Sequence, residues 1–313
     1  MKNKTLILGC IGIGIVLFFV FILFIKEEVA YETYDINSPV RVGEVHLIVS
    51  DLEQSVEFYT ELIGFDILAD EPNKVTLTAD GRTSLLVLET MKGSIERPFG
   101  TTGLYHFAIL LPDRSSLANT LLHLAASEYL MQGAANHQYS DALYLADPDG
   151  NGIEIYVDLP TENWKRNKDG GYVGGSYPID FEKLIEVASP PWTGLPENTR
   201  IGHMHLQVAE LDNSEQFYVN GLGFDITKKD NGSLFLSRDH YHHHIAMNTW
   251  SGTGLPAPPD NARGLNKFTL VFTQQELDEA KLQLKHLGFP FVENTHSIIV
   301  TDPSSNMIEI TTN

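Results

Sequence analysis

Short apolar runs and one helical stretch recur along this chain in a fixed order. Val45–Val49 reads as an apolar strand, and Leu52–Leu62 has helical spacing, with Phe58 and Leu62 on one face and Gly64 as its stop. Strand-like runs follow at Lys74–Thr78 and Ser84–Glu89. The order then restarts with a strand at Tyr105–Leu111, a helix at Ser115–Ser127 and strands at Ala142–Ala146 and Gly152–Asp158. A strand, a helix and two or three strands make a βαβββ module. The pattern predicts four such modules in an α+β fold whose sheets pair to bury their apolar faces.

The second half of the chain repeats the first. VGEVHLIVSDLEQSVEFYTELIGFDI (42 to 67) returns as IGHMHLQVAELDNSEQFYVNGLGFDI (201 to 226). Downstream, GLYHFAILL (103 to 111) matches GLNKFTLVF (264 to 272), and DPDGNGIEI (147 to 155) matches DPSSNMIEI (302 to 310). A repeat this long is a duplicated domain. The expected organisation is a first domain over 41–160, a connector over 161–200 containing GGYVGG and SPP, and a second domain over 201–313.

Thr5–Ile25 carries no charge and is long enough to cross a bilayer as a helix. It predicts a single-pass transmembrane anchor after a short cytoplasmic N-terminus (1–4) and before a polar tether (26–40). Lys2 and Lys4 precede the span and Lys26-Glu27-Glu28 follows it, which places the soluble part on the extracytoplasmic side of the cell membrane. The 21 Lys and Arg against 41 Asp and Glu give a net charge of −20, which argues against a nucleic-acid partner. The single cysteine, Cys10, lies inside the span, so thiolate ligands and thiol nucleophiles are excluded from the soluble part.

VHLIVSDLEQSVEFYTELIGF, LYHFAILL and ALYLADPDGNGIEIYVD resemble the vicinal oxygen chelate superfamily, which contains glyoxalase I, bleomycin and fosfomycin resistance proteins, and extradiol ring-cleaving dioxygenases. The resemblance spans about 41 to 313. GHMHLQVAELDNSEQFYVNGLGFDI and YHHHIAMNTW are similar to the bacterial catechol 2,3-dioxygenase-like group in particular. It implies that the modules pair into two half-barrel sheets, each a cup that takes metal ligands from the first and last strands of its modules. The matching first-strand positions are His46, His106, His205 and Lys267, and the last-strand glutamates are Glu154 and Glu309.

Two cups compete. Pairing modules one and two gives His46, His106 and Glu154; pairing modules two and three gives His106, Glu154 and His205. Extradiol enzymes carry a His pair before an apolar strand, matched by Tyr241-His242-His243-His244-Ile245 with His243 the best aligned, and a Tyr ten residues before the ligand Glu, matched by Tyr144. These residues favour the second cup. The resemblance thus implies His106, Glu154 and His205 as metal ligands, with His243 as acid–base residue and Tyr144 as a hydrogen-bonding partner of substrate. His46, His203, His242 and His244 are alternative ligands or supporting residues; His203 shares a face with His205 and would orient ligands or substrate. Lys267 has no lone pair for a metal while protonated, which leaves Glu309 a relic.

Two imidazoles and one carboxylate suit Fe(II), with Mn(II) as the other candidate. The implied reaction is extradiol cleavage of a catechol-type diol with O2, in a chain that can form a homo-oligomer. The alternatives are a glyoxalase I-like lyase or isomerase, and a non-catalytic binding protein that sequesters a small molecule such as an antibiotic.

Overall fold

The computed structural model describes residues 39–189 and 191–312. The anchor expected at Thr5–Ile25, the cytoplasmic N-terminus and most of the tether lie outside the described residues. Among the described residues no helix is long and apolar enough to cross a membrane.

Four modules follow one another as expected. The first comprises β1 (Arg41–Val49), α1 (Leu52–Glu57), β2 (Asp66–Glu71), β3 (Lys74–Thr78) and β4 (Leu86–Thr90). The second has β5 (Gly103–Leu111), α2 (Arg114–Ala126), β6 (Gly133–Asn136), β7 (Ser140–Ala146) and β8 (Gly152–Asp158). After a short helix in the connector, α3 (Phe181–Ile185), the third has β9 (Arg200–Gln207), α4 (Leu211–Glu215), β10 (Asp225–Asp230), β11 (Ser233–Ser237) and β12 (Ile245–Asn248). The fourth has β13 (Gly264–Phe272), α5 (Gln274–Leu287), β14 (Phe291–Glu293), β15 (Ser297–Thr301) and β16 (Met307–Thr312).

The helix read over Leu52–Leu62 is not uniform. Asp51 caps α1 by accepting from the Gln54 N–H, and the helix widens into a π-helical turn over Phe58–Ile63. It stops at Gly64, whose φ of 99° and whose contact with Trp192 leave no room for a side chain.

The two eight-stranded sheets do not follow the division of the chain into halves. One runs β14-β15-β16-β13-β1-β4-β3-β2 and joins modules four and one; the other runs β10-β11-β12-β9-β5-β8-β7-β6 and joins modules three and two. Within each module the first strand runs parallel to the last, while the module-to-module seams, β1–β13 and β5–β9, are antiparallel.

Strand alternation then sorts the side chains. Phe107 and Ile109 of β5, Met204 and Leu206 of β9, Val45 and Leu47 of β1, and Phe268 and Leu270 of β13 enter one continuous core. Each fully buried side chain of this kind contributes about 1.5–3 kcal/mol. The alternate residues of β5 and β9, His106, Ala108, His203 and His205, face away from that core. The pairing of modules two and three therefore puts His106, Glu154 and the β9 histidines on one sheet. His46 and Glu309 lie on the other.

Candidate active site

β5 is the axis of the site. Ala108 pairs with Glu154 of β8 on one side and with His203 of β9 on the other, so the three stand in one row across the sheet. The alanine presents a single methyl, and Glu154 and His203 reach towards each other over it. His106, two residues earlier on the same face, completes the group. Glu154 Oε2 lies 3.1 Å from His106 Nε2 and 3.3 Å from His203 Nε2, and the two imidazole nitrogens are 3.4 Å apart. All three side chains are buried. An ion about 2.1 Å from each donor would give donor separations of this size, so the set fits a divalent metal.

The electrostatics agree with that fit. Burial lowers His203 to a pKa of about 4 against the pull of Glu154, so its imidazole is neutral at physiological pH. Burial alone would raise Glu154, but His203 and His106 outweigh it and hold the carboxyl well below its usual range. The group therefore offers a carboxylate and neutral imidazole as donors.

His205, the β9 ligand expected from the repeat, is not the one that joins His106 and Glu154. The Asn248 amide oxygen accepts from the Trp250 N–H at 3.1 Å, which turns Asn248 Nδ2 towards His205 Nε2 at 2.9 Å. That amide N–H engages His205 Nε2. His205 sits opposite His106 rather than opposite Ala108, and burial keeps it neutral, well below the ordinary histidine range. Its ring lies 4.8 Å from Tyr105 and 5.3 Å from Trp250, forming a wall of the cavity.

The cavity above the group is about 650 Å³ and is lined among others by Tyr105, His137, Tyr144, Phe235, His243 and Trp250. Tyr144 and His243 thus face the same space as His106, Glu154 and His203. Tyr144 OH lies 2.6 Å from His137 Nε2. His137 Nδ1 is 2.7 Å from the Gly175 carbonyl, which can only accept, so in the neutral ring Nε2 takes the Tyr144 proton. Burial and the nearby Glu154 push the Tyr144 hydroxyl far up, so it stays a phenol. Gly175 and Ser176 of the connector close one side of the cavity.

His243 is buried, and burial followed by the neighbouring histidines lowers it well below the usual range. Its Nδ1 is 2.8 Å from His242 Nδ1. His242 does not line the cavity. Neither does His244, whose Nδ1 accepts from the Arg238 N–H at 3.3 Å.

The strand bearing Glu154 is set in place by its turn. Asp147 accepts from the Asn151 backbone N–H and from Tyr59 OH at 2.9 Å. Asp302 makes the same bonds to Asn306 and Tyr218 in the other sheet.

That other sheet carries a cup without the donor set. Lys267 stands where His106 does and reaches Glu309 at 2.5 Å, which also accepts from Ser297. Glu44 stands where His203 does and is bonded by Ser84. His46 is 2.8 Å from Glu89, in a different sheet from His106, and burial lowers its pKa. A lysine ammonium takes the place of a metal there.

His137, Asp158 and Asn248 were not singled out by the sequence. Each acts through a partner brought near only by folding, and no repeat or motif spacing marks them.

Comparison with known proteins decides the family. The Glyoxalase/Bleomycin resistance protein/Dioxygenase superfamily pattern matches residues 41–155 and 200–310. The chain belongs to this superfamily. It is 42% identical over 275 residues to a catechol-2,3-dioxygenase of Bacillus subtilis (strain 168), covering 86% of this chain and 96% of the relative. Among solved structures, a putative dioxygenase of Bacillus subtilis aligns with a TM-score of 0.61 at 12% identity, covering 90% of this chain and 86% of that one. Glyoxalase I of Zea mays aligns with a TM-score of 0.55 at 15% identity, covering 87% and 92%. These two similarities bear on the fold alone. Both sheets of the chain are thus superfamily cups, and the one built from modules two and three keeps a donor set.

Proposed function

We propose that this protein is a metal-dependent extradiol dioxygenase that cleaves a catechol-type aromatic diol with O2. The observation that carries the reading is the convergence of His106, His203 and Glu154 under a cavity that Tyr144 and His243 also face. The 42% identity to a catechol-2,3-dioxygenase over nearly its whole length supports it.

In this reading His106, His203 and Glu154 hold the metal, and the two-histidine, one-carboxylate set favours Fe(II), with Mn(II) as the other candidate. A metal so bound supplies Lewis acidity that lowers the pKa of the diol hydroxyls and a redox centre that admits O2. The protein's own groups do the rest. His243 accepts a proton from one diol hydroxyl at the nitrogen not engaged by His242 and returns it as the ring opens. Tyr144, held by its hydrogen bond to His137, orients the substrate ring through its hydroxyl. His205, Tyr105, Trp250 and Phe235 supply aromatic walls, and the connector at Gly175 and Ser176 limits water. Both atoms of O2 enter the product as the carbon–carbon bond beside the diol breaks. A glyoxalase-type base drawn from a second metal-bound carboxylate has no counterpart, because Glu154 is the single carboxylate in the group.

The test is to load the purified full chain anaerobically with Fe(II), add catechol and then O2, and follow the yellow ring-fission product. Product formation that depends on metal and is lost in Glu154→Ala supports the assignment. Metal binding without product from catechol or its alkyl and aryl derivatives would overturn it.

A further inference from the structure

Behind the cavity, Asp158, His242 and His243 form a hydrogen-bonded line that ends at the metal-binding group. β8 presents Glu154, Tyr156 and Asp158 on one face, by the two-residue period of a strand. Its first member belongs to the donor group; its last, Asp158 Oδ1, is 2.9 Å from His242 Nε2. His242 Nδ1 is in turn 2.8 Å from His243 Nδ1, and the His243 ring lies 4.2 Å from that of His203.

The His242 side chain is fully enclosed. Tyr139 stacks on it at 4.5 Å and 17°, Tyr241 packs against it at 4.0 Å, and Trp164 of the connector meets it edge-on at 5.2 Å. The ring cannot turn, and its two nitrogens face Asp158 and His243. Asp158 is fixed as well. Tyr241 OH lies 3.0 Å from Asp158 Oδ2 and 2.6 Å from Tyr156 OH.

This line has a direction. A carboxylate only accepts, so His242 Nε2 must carry a hydrogen towards Asp158. Where that is the ring's one hydrogen, His242 Nδ1 is bare and can only accept. The hydrogen between the two imidazoles therefore belongs to His243 Nδ1, and His243 Nε2 is left with its lone pair.

Resting on the reading of His243 as the proton acceptor of the cavity, we propose that Asp158 and His242 are positioning residues that lock His243 in its Nδ1–H tautomer. The lock makes Nε2 an acceptor before substrate arrives. When Nε2 takes a proton, the new positive charge lies in line with Asp158 through His242. Asp158→Asn reverses the line with little change of shape. The asparagine oxygen accepts from Tyr241, its amide donates to His242 Nε2, His242 Nδ1–H donates to His243, and Nε2–H now faces the cavity. A hydrogen there cannot accept one from a diol. Exchanging the carboxylate behind a catalytic histidine for an amide is known to cost activity through the wrong tautomer.

The tautomers are read by ¹⁵N and ¹H NMR of the metal-free full chain labelled at histidine nitrogen. The expected wild-type spectrum has His242 protonated at Nε2 and His243 at Nδ1, and Asp158→Asn moves both hydrogens to the other nitrogen. Wild-type His243 protonated at Nε2, or a doubly protonated His242, overturns the proposal without any variant. In the metal-loaded protein, Asp158→Asn keeps metal content and anaerobic catechol affinity within about threefold while kcat falls about 10²-fold or more. An unchanged kcat, or a loss carried by affinity alone, also overturns it. If the wild type cleaves no diol, the dioxygenase reading fails, and the NMR experiment still decides the tautomers.

Discussion

Asn248 donates its amide to His205 Nε2 at 2.9 Å, whereas His203 Nε2 lies 3.3 Å from Glu154 Oε2. His203→Ala is therefore expected to abolish Fe(II) binding and ring cleavage. His205→Ala should keep about one metal per chain and lose affinity for substrate instead. Metal analysis after anaerobic dialysis, beside KM for catechol, reads both. Metal loss in His205→Ala with metal kept in His203→Ala would return the ligand role to His205.

Ala108 is fully buried between Glu154 and His203, and its small size lets them meet. Ala108→Val places extra methyls in that gap. Metal affinity should fall at least about tenfold, with overpacking costing about 1–3 kcal/mol of stability. Calorimetric Fe(II) titration beside thermal melting separates the two effects. A variant with unchanged metal affinity would show that the row does not depend on the alanine.

Lys267 and Glu309 close the second cup with an internal ion pair, and Thr269, paired with Glu309, occupies the place of Ala108. Converting that sheet to the pattern of the first needs Glu44→His, Lys267→His and Thr269→Ala together. The triple variant should bind about two metals per chain instead of about one. A stoichiometry that stays at one would mean that the lost ligands are not what distinguishes the cups.

His244 gives the protein a built-in acid sensitivity. Burial is the main cause that lowers its pKa from 6.5 to about 3, with His242 and Arg200 adding to it. The unfolded chain thus binds a proton that the folded chain refuses. Stability from this residue is complete above pH 6.5 and falls as the pH drops towards 3, by about 1.4 kcal/mol per pH unit. Urea titrations of the metal-free chain between pH 7 and pH 4 should show a shallower decline in His244→Gln than in the wild type. Parallel curves would assign the acid sensitivity to other groups.

Much of the architecture was legible before folding, because it rests on local periodicity. Apolar runs marked β1 and β5, the repeat gave the four modules with β9 as the copy of β1, and the resemblance carried by Tyr144, Glu154 and the histidine run pointed to the sheet of modules two and three. The choice between His203 and His205 was not legible. Both lie on one face of β9, and what separates them is an amide from β12 and the pairing of Ala108 with Glu154 and His203. Asp158 and His137 escaped notice for the same reason, since a carboxylate at a strand end and a loop histidine gain meaning only from partners far away in the chain. The helix at Leu52–Leu62 was right in place but not in kind, because helical spacing does not register the π-helical widening at Phe58.

The seams β1–β13 and β5–β9 have a consequence for how the molecule comes into being. His106 and Glu154 are synthesised before the connector, and His203 and His243 after it, so no nascent chain owns a working site until β12 has left the ribosome. β1 finds β4 early but must wait longer still for β13 on its other side. Such long-range closures slow folding. They also mean that cutting the chain at the connector would yield two fragments, each with half of both cups, able to regain activity only by reassembling with each other.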